Sequence, residues 1–483
     1  MKDRFSLAVV ASALAIATAG TVSAATLYVA LNSTNPTPPY ATWATAAHII
    51  QDAVDGAKAG DTVLVTDGVY EAGERDGNRV AVPNAVRLES VNGPSVTMIK
   101  GRQDTDEWGT VFAGVRCVYL GADAVLSGFT LTNGYAGGAG GGGVYSKSSG
   151  VVTNCVITGN ECVDCAGGGG AFGGTLHNCT LTGNSAIGVE TGGGGGEGAA
   201  YMATLYNCTL TGNTGSRGSG AGWCILYDCV VSGNIGTGAW ASALYNCTLS
   251  GNSRGGAVHS TLNNCLLTSN SGSSEGTFYN CTITENQGGI SGTAFNSIIY
   301  YNTGGNYGEG TTLNHCCTSP LPTNGVDNII GPPLLMDLAA GDFRLGEDSP
   351  CVDAGTNLLG FPVSVWNRLG GAVLVGHITE ATDFLGNTRF IDGNGDGKVA
   401  WDIGAYEFNS FRPPRFNVQP QLTAEGWKLN LTGAPNKWVH LQRSGNLKDW
   451  EEIWSGFMGP EGVQQVNDSD LGQNVMFYRA VVP

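Results

Sequence analysis

The chain is short of charge and shorter still of positive charge. Only 13% of its 483 residues are Asp, Glu, Lys or Arg, and 23 cations face 40 acids for a formal charge of −17. A nucleic-acid surface needs a basic footprint, so that partner is excluded. The same imbalance repels polyanionic glycans unless a cation bridges them. Beyond residue 24 no apolar run approaches the ~20 residues a membrane-crossing helix needs, so no membrane span is expected. Glycine, at 76 residues, is far above its usual ~7% share and gathers in clusters at 137–143, 167–170 and 192–196. Little charge and much glycine point to stacked coils joined by tight turns.

What the chain has instead is one phrase written many times. VVTNCVITGN, TLHNCTLTGN, TLYNCTLTGN, ILYDCVVSGN, ALYNCTLSGN, TLNNCLLTSN and TFYNCTITEN share an apolar–x–Asn–Cys–x–apolar–Thr/Ser–x–Asn pattern, with cysteines at 155, 179, 208, 229, 247, 265 and 281. A constant strand core with spacings of 16 to 29 residues marks a solenoid, in which each repeat buries its apolar side only by stacking on the next. Sixteen residues leave no room for a crossover helix. Three short strands and three bends fill such a coil, the glycine-rich piece before each phrase (GGGGVY, GGGGAF, GAGW, GTGAW) supplying the third strand. Strand alternation turns Leu205, Cys208 and Leu210 inward and Tyr206, Thr209 and Thr211 outward. Asn207 and Asn213 fall at bends, where buried Asn side chains stacked coil on coil satisfy backbone groups the ladder misses.

Fourteen cysteines in an exported chain invite a disulfide reading. Neighbouring parallel strands ~4.8 Å apart bring the repeat cysteines within reach, but parallel Cβ vectors suit a disulfide dihedral poorly. A column of small buried thiols is the better account of those seven. Cys162 and Cys165 sit together in an insertion (CVDC) that permits a bridge. The state of the adjacent Cys316 and Cys317 is open. A single C-x-x-C is weak evidence for zinc.

Residues 1–24 read as a secretory signal, with Lys2 and Arg4 before an apolar stretch at 7–19 and a small-residue cleavage site, VSA, at 22–24. A strand at 26–32 and a turn-rich NPTPPY precede an amphipathic helix over 45–58, whose Ile49, Ile50, Ala53, Val54 and Ala57 share a face and which Gly60 stops. A solenoid's open end exposes unpaired edges, so this helix is expected to cap it. The coils run over 25–345. Residues 346–412 form a loop-rich end segment. From PPR at 413–415 the composition shifts, and 413–483 is strand-like and aromatic, a small β-sandwich.

These features resemble known proteins at several points. The opening YVALNSTNPTPPYATWATAAHIIQDAVDGAKAGDTVLVTDGVY and the repeats are similar to the right-handed parallel β-helix group of the pectate-lyase-like superfamily, over roughly 26–345. SPCVDAGTN (349–357) and TDFLGNTRFIDGNGDGKVAWDIGAYEF (382–408) resemble the end segment of choice-of-anchor Q β-helix proteins. LQRSGNLKDW resembles the core of C-terminal β-sandwich modules on secreted bacterial proteins. The resemblance implies an all-β, right-handed parallel β-helix and an extracellular or cell-surface location. It also raises the prospect of a polysaccharide lyase, which abstracts a proton α to a uronate with Arg or Lys, often with calcium.

Candidate chemistry is sparse. Asp392, Asn394 and Asp396 have the 1, 3, 5 spacing of a calcium loop, with Asp402 one place early for the bidentate ligand at 12. The loop is a partial calcium site of structural role or an Asp/Gly-rich hairpin. Tyr206, Tyr227, Tyr245 and Tyr279 recur two residues before a repeat cysteine, interrupted by His177 and Asn263. They form either an outward column on which sugar rings stack or a packing ladder covering the bend. Lys147, Arg217 and Arg254 are the cations along the repeats and lie on different coils. Glu190, Glu197, Asp164 and His259 join them as groups that insertions could bring to one face. G-x-S-x-G at 251–255 spans the repeat's own turn, not the strand-to-helix elbow that motif requires. The N-x-T sequences at Asn178, Asn207, Asn246 and Asn280 fall at bends expected to be buried, which argues against glycosylation. The favoured function is a monomeric, secreted or surface scaffold that contacts a polysaccharide or cell-surface glycan without catalysis. A polysaccharide lyase is the first alternative and an adhesin-like protein-binding surface the second.

Overall fold

A computed structural model describes residues 24–408 apart from 106, 108–110, 139, 148, 166, 189–195, 367–371 and 395–397. Beyond 408 it describes 415–416, 421–423, 426–432, 438–444, 450–458, 463–469 and 477–481. The expected signal segment and Asp396 and Glu190 therefore lie outside the described residues. The coils form a right-handed parallel β-helix of three long sheets. The first has thirteen strands, from Thr26–Val29 to Thr312–Asn314; the second has twelve, from Gly68–Tyr70 to Cys317–Thr318; the third is built largely from the glycine-rich strands.

Register holds the whole stack. In the first sheet Leu176, Leu205, Leu226, Leu244, Leu262, Phe278, Ala294 and Leu313 lie one above another, all fully buried. Because side chains alternate along a strand, a slip of one residue would turn every one of these outward. Each strand is only three or four residues long across most coils, so its stability comes from the coils on either side.

Two polar ladders run through the bends. Asn160, Asn184, Asn213, Asn234, Asn252, Asn270, Asn286 and Asn302 are buried, and each Nδ2 from Asn160 to Asn286 donates to the Oδ1 of the next asparagine at 2.9–3.0 Å. The same oxygens accept a backbone amide from the coil before, as Asn234 Oδ1 does from Asn213 at 2.9 Å, while Asn234 Nδ2 also donates to the Leu210 carbonyl at 3.0 Å. Nearby, the thiols of Cys208, Cys229, Cys247 and Cys265 accept the amide of the preceding cysteine at 3.4–3.5 Å. The seven repeat cysteines are free thiols, and burial pushes those of Cys247 and Cys265 well up. Cys162 and Cys165 are disulfide-bonded, whereas Cys316 and Cys317 are free and buried.

The other asparagine of the phrase behaves differently from expectation. Asn154, Asn178, Asn207, Asp228, Asn246, Asn264, Asn280 and Asn296 all hold φ between 47° and 54°, a left-handed conformation that Asn and Asp tolerate best among side-chain-bearing residues. They turn the first sheet into the second. Asn178 and Asn207 are exposed there, so the bend is not buried at those two sequons, while Asn280 is.

The cap is also shorter than the periodicity suggests. The helix spans Ile50–Gly56, after a 3₁₀ turn at Trp43–Thr45. Residue 47 is drawn into the sheet instead, with Ala47 bonding Tyr28 and Ala30 through its backbone. The helix still buries Ile50, Ala53 and Val54 over the end of the stack.

The end segment folds back over the first sheet. A hairpin of Pro362–Trp366 and Ala372–His377 lies on it, with Thr261 Oγ1 donating to the Ser364 carbonyl at 2.7 Å. Arg389, fully buried, anchors this segment. It pairs with Glu407 at 3.1 Å and donates to the carbonyls of Thr382, Gly404 and Ala405 and to Asn264 Oδ1. Burial, opposed by Arg389, pushes Glu407 up to about 9. The C-terminal residues form two small antiparallel sheets whose Leu429, Leu431, Val439, Leu441 and Val466 pack together as a β-sandwich.

Two outcomes are expected. Asn234→Leu strands buried groups of Asn213 and Leu210, each costing roughly 1–3 kcal/mol. Cys229→Ala removes one sulfur and a long, weak bond, for about 1 kcal/mol. Urea midpoints at constant slope measure the difference, and equal losses would refute the asparagine ladder as the stronger tie. Second, Glu407 has a folded value raised above its ordinary 4.5. The stability it contributes is complete below about 4.5 and lost as pH rises through about 9. Melting temperature is expected to fall between pH 6 and 9.5, by less in Glu407→Gln; an unchanged pH dependence in that variant would refute the assignment.

Candidate functional site

The bend after the first sheet presents an aromatic stack. Tyr206, Tyr227 and Tyr245 occupy the last position of consecutive first-sheet strands, in register. Their ring centroids lie 4.8 and 4.9 Å apart with planes within 9°. His177, which by sequence interrupts the series, continues it against Tyr206 at 4.8 Å. That spacing is the coil repeat itself, so the flat faces largely cover one another. The column therefore offers ring edges and hydroxyls, not a platform of open faces. Burial raises the phenol of Tyr227 and pushes Tyr245 up to about 12, keeping both protonated as hydrogen-bond donors at neutral pH.

Tyr279 does not share this surface. Asn263 takes the tyrosine position on the coil between, and Tyr279 is 4% exposed beneath the end segment. Its hydroxyl bonds the Pro362 carbonyl at 3.2 Å and its ring meets Phe361 edge-on. For this tyrosine the packing role is the correct one, because the folded-back hairpin covers it.

The three open tyrosines form the floor of a groove of about 430 Å³, within the range of small-molecule and glycan sites. One wall is residues 375–380 of the hairpin strand and its continuation; amides of Asn246, Asn263 and Asn264 close the other end. The wall is fixed at several points. Ile378 is buried with Ala243, Leu358 and Trp401, and Asn264 Nδ2 donates to the Thr382 carbonyl at 2.7 Å, which Arg389 also holds at 3.0 Å. These contacts fix residues 378 and 382 of the wall against the coils.

The cations expected along the coils do not reach this groove. Its lining carries Asp228, His377 and Glu380 but, among the described residues, neither Lys nor Arg. Arg217 lies over the Trp240 ring at 5.8 Å, and His259 meets the same ring edge-on and pairs with Glu275 at 3.0 Å. Arg217 and His259 thus do converge, through an aromatic the sequence reading had not named. Lys147, Arg254 and Asp164 are exposed, while Glu197 is buried. A second aromatic column was also missed: Tyr119, Tyr145 and Phe172 stack on the third sheet at 5.7 and 4.9 Å. The constant offset of the aromatic after each glycine cluster, in GGVY and GGAF, is the signal that marks it.

Of the four residues with calcium spacing, Asp392, Asn394 and Asp402 are described and Asp396 is not. Asp402 is buried, and its carboxylate accepts the backbone amides of Asp353 at 2.6 Å and of Phe408. Burial pushes it up to about 6. The backbone amide of Asn394 is bonded to Asp353, at 2.8 Å, and Asp392 is half-buried. Among the described residues no group of three or more His, Cys, Asp or Glu is placed to hold a metal. Through these two amides Asp402 staples the bend within the end segment.

No protein-family model and no curated protein sequence matches the chain. Several solved structures are similar to it at low identity. Pectate lyase Pel9A shares 15% identity over 80% of this chain and 96% of its own, with a TM-score of 0.43. XylC in complex with xylose shares 10% over 79% and 98%, at 0.40. The A-module of mannuronan C-5 epimerase AlgE4 from Azotobacter vinelandii shares 14% over 58% and 84%, at 0.32. At these scores none of them bears on what the chain does.

Proposed function

We propose that the protein is a secreted or surface β-helix scaffold that binds carbohydrate, without turning it over, in the groove floored by Tyr206, Tyr227 and Tyr245. The observation that carries this reading is the make-up of that groove. The phenols of Tyr206, Tyr227 and Tyr245, spaced by the coil repeat, offer hydroxyl donors and acceptors to a chain of sugar hydroxyls. Ring edges and the apolar side of Val375 receive its C–H faces. A fixed wall makes the contact repeatable.

The favoured absence of catalysis rests on chemistry. Proton abstraction beside a uronate carboxylate needs a deprotonated base and a cationic group to neutralise the carboxylate. The groove lining supplies His377 as its sole basic side chain among the described residues, flanked by acids. Arg217 is engaged with Trp240, outside the groove lining.

Tyr227→Ala is expected to weaken binding to its cognate glycan on an array by about tenfold or more, the loss typical of a truncated aromatic anchor. The melting temperature should move little, because Tyr227 is only half-buried. Incubation with polygalacturonate, alginate or chondroitin and calcium is expected to yield no unsaturated product. Turnover abolished by Arg217→Ala would replace this reading with a lyase.

A further inference from the structure

The groove's charge goes further than its shape. Eight consecutive bends after the first sheet are left-handed, and seven of them use asparagine; the eighth is Asp228. Asn and Asp serve that backbone conformation alike, so the fold does not ask for a charge at 228. Yet the charge sits on the coil of Tyr227, in the middle of the floor. The contact made to it by a neighbour is a marginal one from Asn246 Nδ2 at 3.4 Å. The wall carries a second exposed carboxylate, Glu380, lining the same groove. Neither acid has an ion-pair partner among the described residues.

Resting on the reading that the groove binds glycan, we propose that it selects sugars bearing a free amino group, an ammonium lying between the Asp228 and Glu380 carboxylates. Two acids against one basic lining side chain, His377, with no lining Lys or Arg among the described residues, disfavour a uronate or sulfated chain and attract a protonated hexosamine. The phenol hydroxyls of the floor remain available to the same ring. A net charge of −17 adds a long-range field of the same sign, which concentrates polycations near the surface and excludes polyanions.

The test uses the full chain and three probes in calorimetry at pH 6: a glucosamine oligomer, its N-acetylated counterpart and an oligogalacturonate of equal length. The expected order places the amino oligomer about three- to tenfold tighter than the acetylated one, with the uronate weakest; exposed pairs of this kind give up to about fivefold each. Raising the salt from 20 to 500 mM should narrow the gap. Asp228→Asn, which restores the residue found at the other bends, should fold normally and bring the amino and acetylated oligomers within about twofold when combined with Glu380→Gln. Equal or tighter binding of the acetylated or uronate oligomer by the unaltered chain overturns the selectivity. So does a preference that survives both substitutions. If the acetylated oligomer binds and Tyr227→Ala abolishes it, the glycan groove stands while the charge selection falls. No binding of any probe overturns both.

Discussion

Everything in this protein follows from one constraint, the parallel backbone ladder that sets each coil directly over the one before it at about 4.8 Å. No strand of three residues could hold itself together. Repeated in register, the same three residues put leucine on leucine, thiol under amide and carboxamide on carboxamide. The columns differ in what they contribute. The leucines remove apolar surface from water, the larger favourable effect. The asparagines add little net energy when satisfied but leave costly orphans when broken, so they fix the register more than they raise stability. Thiols do a weaker version of the same job in less space.

The constraint also explains the character of the site. A residue type repeated along an outward column becomes a stack whose separation the backbone dictates. Tyrosines placed this way cannot spread to meet a ring face-on, because each lies against the next. What they present is a strip of hydroxyls at fixed intervals. That strip, beside a fixed wall, is the geometry on which the proposed glycan reading rests.

Most of the architecture was legible because repetition multiplies weak signals. One TLYNCTLTGN says little; seven aligned copies give the strands, the inward residues and the thiol column. What repetition could not reveal was where the chain departs from it. Tyr279 looks identical to Tyr245 in its own repeat, and only the end segment, some eighty residues on, decides that it is covered. His177 reads as an interruption among tyrosines, although its ring stacks as well as a phenol does. The two asparagines of the phrase share an identity and have opposite environments. Asn213 satisfies buried backbone, and Asn207 provides a left-handed turn at the surface; sequence spacing places both at bends without telling them apart. Asp402 has nearly the spacing of a cation ligand, yet the amides of Asp353 and Phe408 claim it. The groove wall was invisible for the same reason, since the contacts that place it join residues more than a hundred positions apart.

Those long-range contacts give the molecule a direction in time. Coils can stack one by one as the chain emerges, each templated by its predecessor, and the tyrosine strip is then laid down early and bare. The groove does not exist until Thr382 has reached Asn264 and Arg389 has found Glu407. A chain synthesised only as far as the coils thus carries the scaffold without the wall that closes the groove.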